Sequence, residues 1–186
     1  IFAVLVGISL PNFTLSIRRS RDVTRKTDLG AIVNGIEAYF NDFGIYPLSS
    51  ADGSIIACLK PGTTPALDQK NRLLVDLVPC KWGLEPLIDL TPGSTKIYLN
   101  VIPGDPSYKE GLKYKYFSNG KHFQAFVSLE GGDEAEFDPA VSGRGIDCGG
   151  RVCNMGKASS DGPVNISISE WERQIEEERL KNDTGM

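Results

Sequence analysis

The chain has 186 residues, 40% of them hydrophobic and 24% charged, which suits one domain with a real core and leaves too little for two. Its formal net charge of −4 argues against a nucleic-acid groove as the main business of the fold. Glycine and proline fall mostly after residue 43, so the second half is expected to be rich in loops.

In chain order, residues 1–17 (IFAVLVGISLPNFTLSI) carry no charge, and Arg18, Arg19 and Arg21 follow at once. A spanning helix needs about 20 apolar residues. With Pro11, Asn12, Thr14 and Ser16 inside it the run falls slightly short, and more apolar sequence is expected upstream. The basic residues follow the run and no Ala-x-Ala site appears, unlike a cleavable secretory signal. Ile1–Leu10 are apolar all round apart from Ser9, a pattern for lipid or a many-sided helix contact, with a buried core helix as the alternative. Pro11 removes a backbone hydrogen bond and Gly7 weakens the same turn, which predicts a helix break there.

Beyond the arginines the pattern becomes amphipathic. Val23, Leu29, Ile32, Val33, Ile36, Tyr39, Phe40 and Phe43 recur at three- and four-residue steps, opposite Arg25, Lys26, Asp28, Asn34, Glu37 and Asn41. Gly44 is placed to end this helix and Pro47 bars a restart. One helix from the chain start to Phe43 would be about 65 Å long, more than a domain of this size can bury, so about half should protrude.

The run FAVLVGISLPNF, then SIRRSRDVTRKTDL, then IVNGIEAYFNDFGIYPLS resembles the type IV pilin and type II secretion pseudopilin superfamily. The carrying features are the proline within an apolar helix and the turn Phe40-Asn41-Asp42-Phe43-Gly44-Ile45-Tyr46-Pro47. IPGDPSY (Ile102–Tyr108) and the tyrosine-rich hairpin after it are also similar to small pseudopilin-like chains. The resemblance covers residues 1–47 and, less closely, 99–130. It implies a peptidase site, a first mature Phe and a nearby Glu upstream of the apolar run, none of which this sequence contains.

Residues 49–95 show no sustained period and are expected to form a variable connector, with a turn of helix at Leu73–Leu77. Leu112–Phe117 and His122–Leu129 alternate on either side of Asn119-Gly120, a strong hairpin signal. Leu112, Tyr114, Tyr116, Phe123, Ala125, Val127 and Leu129 would then face the amphipathic helix. Tyr98–Ile102 and Val164–Ile168 are weaker strand candidates. Ser169-Glu-Trp-Glu172 fits a capping box opening a last helix to about Lys181, which either docks through Trp171 or lies between subunits.

Cys58, Cys80, Cys148 and Cys153 form no C-x-x-C pair, so zinc and thioredoxin chemistry are weak readings. Of three connectivities, Cys58–Cys80 and Cys148–Cys153 each close a local Gly/Pro-rich loop, which points to an oxidising compartment; free buried thiols are the alternative. His122, the only histidine, has no partner for a metal or nucleophile site and is expected to be structural or solvated. Asp133, Glu134, Glu136 and Asp138, with Asp105 nearby, form an acidic loop. The oxygen-only set Asp105, Asp133, Glu134 and Asp138 suits Ca²⁺, although a solvated loop fits as well. Gly143–Gly156 is glycine-dense but lacks the Lys-Ser/Thr of a P-loop. Asn12, Asn165 and Asn182 begin N-x-S/T sequons.

The expected fold is therefore α+β. Residues 1–21 form an apolar helix half that serves as membrane anchor and filament core, and residues 22–186 form a pilin-like domain. Within that domain, 22–43 is the amphipathic half, 49–95 the variable loop, 96–130 the sheet, and 131–186 a loop region with a helix. No catalytic constellation emerges, so no enzyme is expected. The expected function is a structural subunit of an extracellular type IV pilus-like filament, with a pseudopilin of a short periplasmic pseudopilus as the alternative. A membrane-tethered enzyme or receptor would need a polar constellation that the sequence does not show. The expected core residues are Ile1, Phe2, Val4, Leu5, Val6, Ile8, Leu10, Phe13, Leu15 and Ile17, with Gly7 and Pro11 as the flexible turn. Partners implied by the resemblance are further copies of the chain, the assembly machinery, and the cytoplasmic membrane before assembly. No cofactor beyond a structural Ca²⁺ is expected.

Overall fold

The computed structural model describes residues 2–70, 72–160 and 162–184, with side chains described from Phe13 onward as far as Asp183. Helix α1 spans Phe2–Phe43, 42 residues or about 63 Å at the usual rise. It ends where the sequence places its stop. Gly44 adopts φ 67°, and its N–H closes the last turn onto the Phe40 carbonyl at 2.7 Å. Phe40 then stacks on Tyr46 with ring centroids 4.2 Å apart, so the aromatic-Gly-x-Tyr-Pro turn folds back onto the helix that it terminates.

The main sheet is three-stranded and antiparallel, in the order β10 (Met155–Ala158), β9 (Phe123–Val127), β8 (Lys115–Ser118). The hairpin between β8 and β9 turns over residues 119–122. The Asn119 side-chain oxygen accepts from the amides of Lys121 and His122 there. Leu29, Ile32 and Ile36 of α1 pack on Tyr114, Tyr116, Phe123, Ala125 and Val127, and all are buried. This is the face expected from the alternation. The opposite face of β9 is buried as well, because Phe126 packs on Val141 and on the Cys148–Cys153 disulfide. Val141 belongs to the short helix α2 (Pro139–Gly143), which Asp138 caps through the Ala140 amide at 2.8 Å.

Residues 49–95 are not a structureless connector. A second antiparallel sheet joins β1 (Leu48–Ser49), β2 (Ile55–Leu59) and β5 (Leu77–Pro79), and two small ladders accompany it. These pair β3 (Ala66–Leu67) with β4 (Leu73–Leu74), and β6 (Leu87–Ile88) with β7 (Ile97–Leu99). Leu73–Leu77 is thus extended rather than helical. Ile55 and Leu87 reach full burial, so this region supplies core to the helix and sheet. Ladders of two or three residues are too short to print a period in the sequence.

Helix α3 runs Ile168–Thr184, and two expectations change with it. Val164–Ile168 is not a strand. The cap is Ser167, two residues before the expected Ser169: its hydroxyl accepts from the Glu170 amide at 3.2 Å. Trp171 does dock the helix, with its ring 4.4 Å from that of His122, while most of α3 beyond it is exposed.

Candidate functional site

The stripe of α1 that carries Leu29, Ile32 and Ile36 continues toward the N-terminus in three- and four-residue steps onto Arg25, Asp22, Arg21 and Arg18. Apolar contact gives way there to charge. Arg25 is fully buried. Its Nε and Nη2 bind the two Asp105 oxygens at 2.9 and 3.1 Å, and its Nη1 donates to Asp22 and Glu130 at 2.9 and 2.8 Å. Arg21 forks onto the same Glu130 at 2.6 and 2.7 Å. Asp22 in turn accepts from the backbone amides of Glu130 and Gly131, at 2.9 and 3.0 Å. Arg18 pairs with Asp133 at 2.7 Å, and Lys26 with Glu134 and Glu136. The helix is therefore clamped to the loop after β9 by both carboxylates and amides.

The electrostatics follow from this geometry. The Arg21 hydrogen bonds, working against burial and aided by those from Arg25, hold the Glu130 carboxyl down at about 2. Burial alone would lower the Arg25 value, but its bonds to Asp105, Glu130 and Asp22 reverse that and hold it above its ordinary range. Lys26 is raised by its bonds to Glu134 and Glu136. Burial raises Asp28, partly offset by the Tyr114 hydroxyl, which donates to it at 2.7 Å.

Just N-terminal to the clamp, Phe13, Leu15 and Ile17 are 65%, 37% and 39% exposed. A run of three large apolar side chains on an uncharged helix segment is the surface most in need of a partner. The remaining expected core positions, Ile1, Phe2, Val4, Leu5, Val6, Ile8 and Leu10, lie outside the described side chains, while the backbone of α1 stays helical through Gly7 and Pro11, where the sequence predicts a break. Among the described residues, no helix is long and apolar enough to cross a membrane.

Both disulfides form with the local connectivity, Cys58–Cys80 and Cys148–Cys153. The first ties β2 to the residue after β5, and the second pins the Gly149-Gly150 turn against the second core cluster. The acidic residues proposed for Ca²⁺ are dispersed. Asp105 faces Arg25, Asp133 faces Arg18, Glu134 faces Lys26, and Asp138 caps α2. Cations of α1 supply the counter-charge that an ion would otherwise provide. Among the described residues, three metal-ligating atoms converge only at Cys58, Cys80 and Glu85, where both sulfurs are already joined to each other. His122 is half-buried at the hairpin, against Trp171.

Sequence reasoning missed Glu130, the hub of the clamp. The available signal was the helix stripe itself: extended backward from Leu29, it lands on charges that a buried face must pair. Compared with known proteins, the chain matches no family model, no curated protein and no solved structure.

Proposed function

We propose that this chain is the structural subunit of a pilin-like extracellular filament that polymerises through its N-terminal helix. The observation that carries the reading is the division of α1 at Arg18. On one side, Asp22, Arg25, Leu29, Ile32 and Ile36 are buried in the subunit's own body. On the other, the helix continues without charge, and Phe13, Leu15 and Ile17 stand exposed. Packing such segments against their counterparts in neighbouring copies removes apolar area from water at about 25 cal/mol per Å². A head-to-tail contact that does not close generates a helical polymer. Two disulfides suit assembly in an oxidising compartment. The resemblance of residues 1–47 to pilins supplies the filament class.

The test is negative-stain microscopy of sheared cell-surface material from cells expressing the parent chain, Leu5→Asp, Val6→Asp or Phe13→Asp. The expected outcome is fibres from the parent and none from the variants, whose globular domains keep the parental melting temperature. Fibres from the aspartate variants sink the proposal. Subunits confined to the periplasm in a parent strain without surface fibres point instead to a pseudopilus.

A further inference from the structure

On the side of the main sheet away from α1, a cavity of about 480 Å³ opens between β8–β9, the segment after α2 and the first turn of α3. Its walls include Phe117, Ile146 and Ile168, and its rim carries the hydroxyls of Ser49, Ser167 and Ser169. That volume falls within the range of small-molecule sites, which are apolar with a few fixed polar groups.

Arg144 also lines the cavity and differs from the clamp arginines. Its Nη1 donates to two neutral oxygens, the Gln124 side chain at 3.1 Å and the Val164 carbonyl at 2.6 Å. Its guanidinium carbon lies 4.9 Å from the centre of the Phe126 ring. Among the described residues, its Nε and Nη2 make no hydrogen bond and no carboxylate reaches ion-pair distance. Burial lowers its pKa, against a weaker raising pull from the Glu170 carboxylate in the first turn of α3, whereas the Glu130 hydrogen bonds raise that of Arg21. A half-buried guanidinium fixed by neutral acceptors, with two donors left over, is built to take a planar anion. Glu172, the one acidic residue on the wall, is hydrogen-bonded by the Asn119 amide at 2.8 Å and disfavours ligands of high negative charge.

We propose that this cavity is a binding site for a small monoanionic carboxylate with an apolar body: the carboxylate pairs with Arg144, and the body fills the space between Phe117, Ile146 and Ile168. The site lies on the opposite side of the sheet from the helix and does not depend on polymerisation.

Isothermal titration of the full chain with 4-phenylbutyrate, its neutral amide and inorganic phosphate tests this. The expected result is saturable one-to-one binding of the carboxylate, with the amide and phosphate each about tenfold weaker or worse, because a charge-assisted pair is lost in one and the apolar contact in the other. Arg144→Gln should weaken carboxylate binding about tenfold or more. Ser169→Trp, an exposed rim change that leaves Arg144 in place, should block the mouth while preserving the melting temperature. Absence of saturable binding, equal binding of the amide, phosphate binding as tightly as the carboxylate, or unchanged affinity in a folded Arg144→Gln protein overturns the proposal. If Arg144→Gln does not fold, Ser169→Trp decides: full binding in that variant rejects the site.

Discussion

Replacing Arg25 by methionine tests the clamp most directly. Met keeps most of the side-chain length but leaves the buried carboxylates of Asp22 and Asp105 without their cation, while Glu130 keeps Arg21. Arg25, Asp22 and Asp105 are all essentially sealed from solvent, with side-chain exposures of 0%, 0% and 1%. Removing one partner from a buried ion pair costs about 3–5 kcal/mol. For a chain of this length each kcal/mol lowers the melting temperature by about 2–4 °C, so the drop should be about 6–20 °C. The loss has a pH signature. In the parent, the Glu130 carboxyl is held down at about 2 from its ordinary 4.5, first by Arg21 and then by Arg25. Its contribution, about 3 kcal/mol, is therefore present above the unfolded value and is lost as pH falls toward the folded one. In the variant Glu130 keeps Arg21 but loses the Arg25 share of that contribution, so the gap to the parent narrows as pH falls from 7 toward the folded Glu130 value. The assay is thermal unfolding by circular dichroism across that range. A drop of less than about 2 °C at pH 7, or a gap that is the same at both ends, refutes the clamp as a source of stability.

Two further outcomes follow from the loops. Replacing both Cys58 and Cys80 by serine opens a closure of 22 residues and should cost about 3 kcal/mol on the chain-entropy model, against about 2 kcal/mol for Cys148 and Cys153, with a separation of 5; urea unfolding of the two double variants ranks them. Gly149→Ala should destabilise by about 3 kcal/mol or more, measured the same way. Position 149 has φ 88°, and an added Cβ would sit 2.0 Å from the Gly111 carbonyl oxygen.

What the sequence made legible was what repeats over several turns or residues. The α1 stripe from Leu29 to Phe43, its stop at Gly44, the alternation through Tyr114, Tyr116, Phe123 and Val127, and the two local disulfides all depend on short spacings. What it hid depends on long ones. Arg25 meets Asp105 across 80 residues and Glu130 across 105, and no local pattern announces either contact. The cluster Asp133–Asp138 looked like a site for a divalent ion because its counter-charges, Arg18 and Lys26, lie more than a hundred residues away. The two- and three-residue ladders of 48–99 escape for a different reason: they form only where other elements hold them. At β9 and the residue after it, burial of both faces made Gln124 and Ser128 core residues despite their polarity. The Gln124 amide is satisfied there by the Ile166 carbonyl at 2.8 Å, and its oxygen by Arg144.

The clamp also changes how the start of the chain presents itself to its surroundings. A cluster of basic residues beside an apolar helix ordinarily attracts anionic headgroups, by about 1 kcal/mol for each side chain near the surface. Here Arg18, Arg21, Arg25 and Lys26 already face carboxylates of the same chain, and among the described residues of this cluster Arg19 alone forms no ion pair. Seen from a Debye length away, the collar at the base of the apolar segment is close to neutral. Such a collar leaves the apolar side chains, rather than charge, to govern what the segment adheres to, and any contact it makes should depend only weakly on salt.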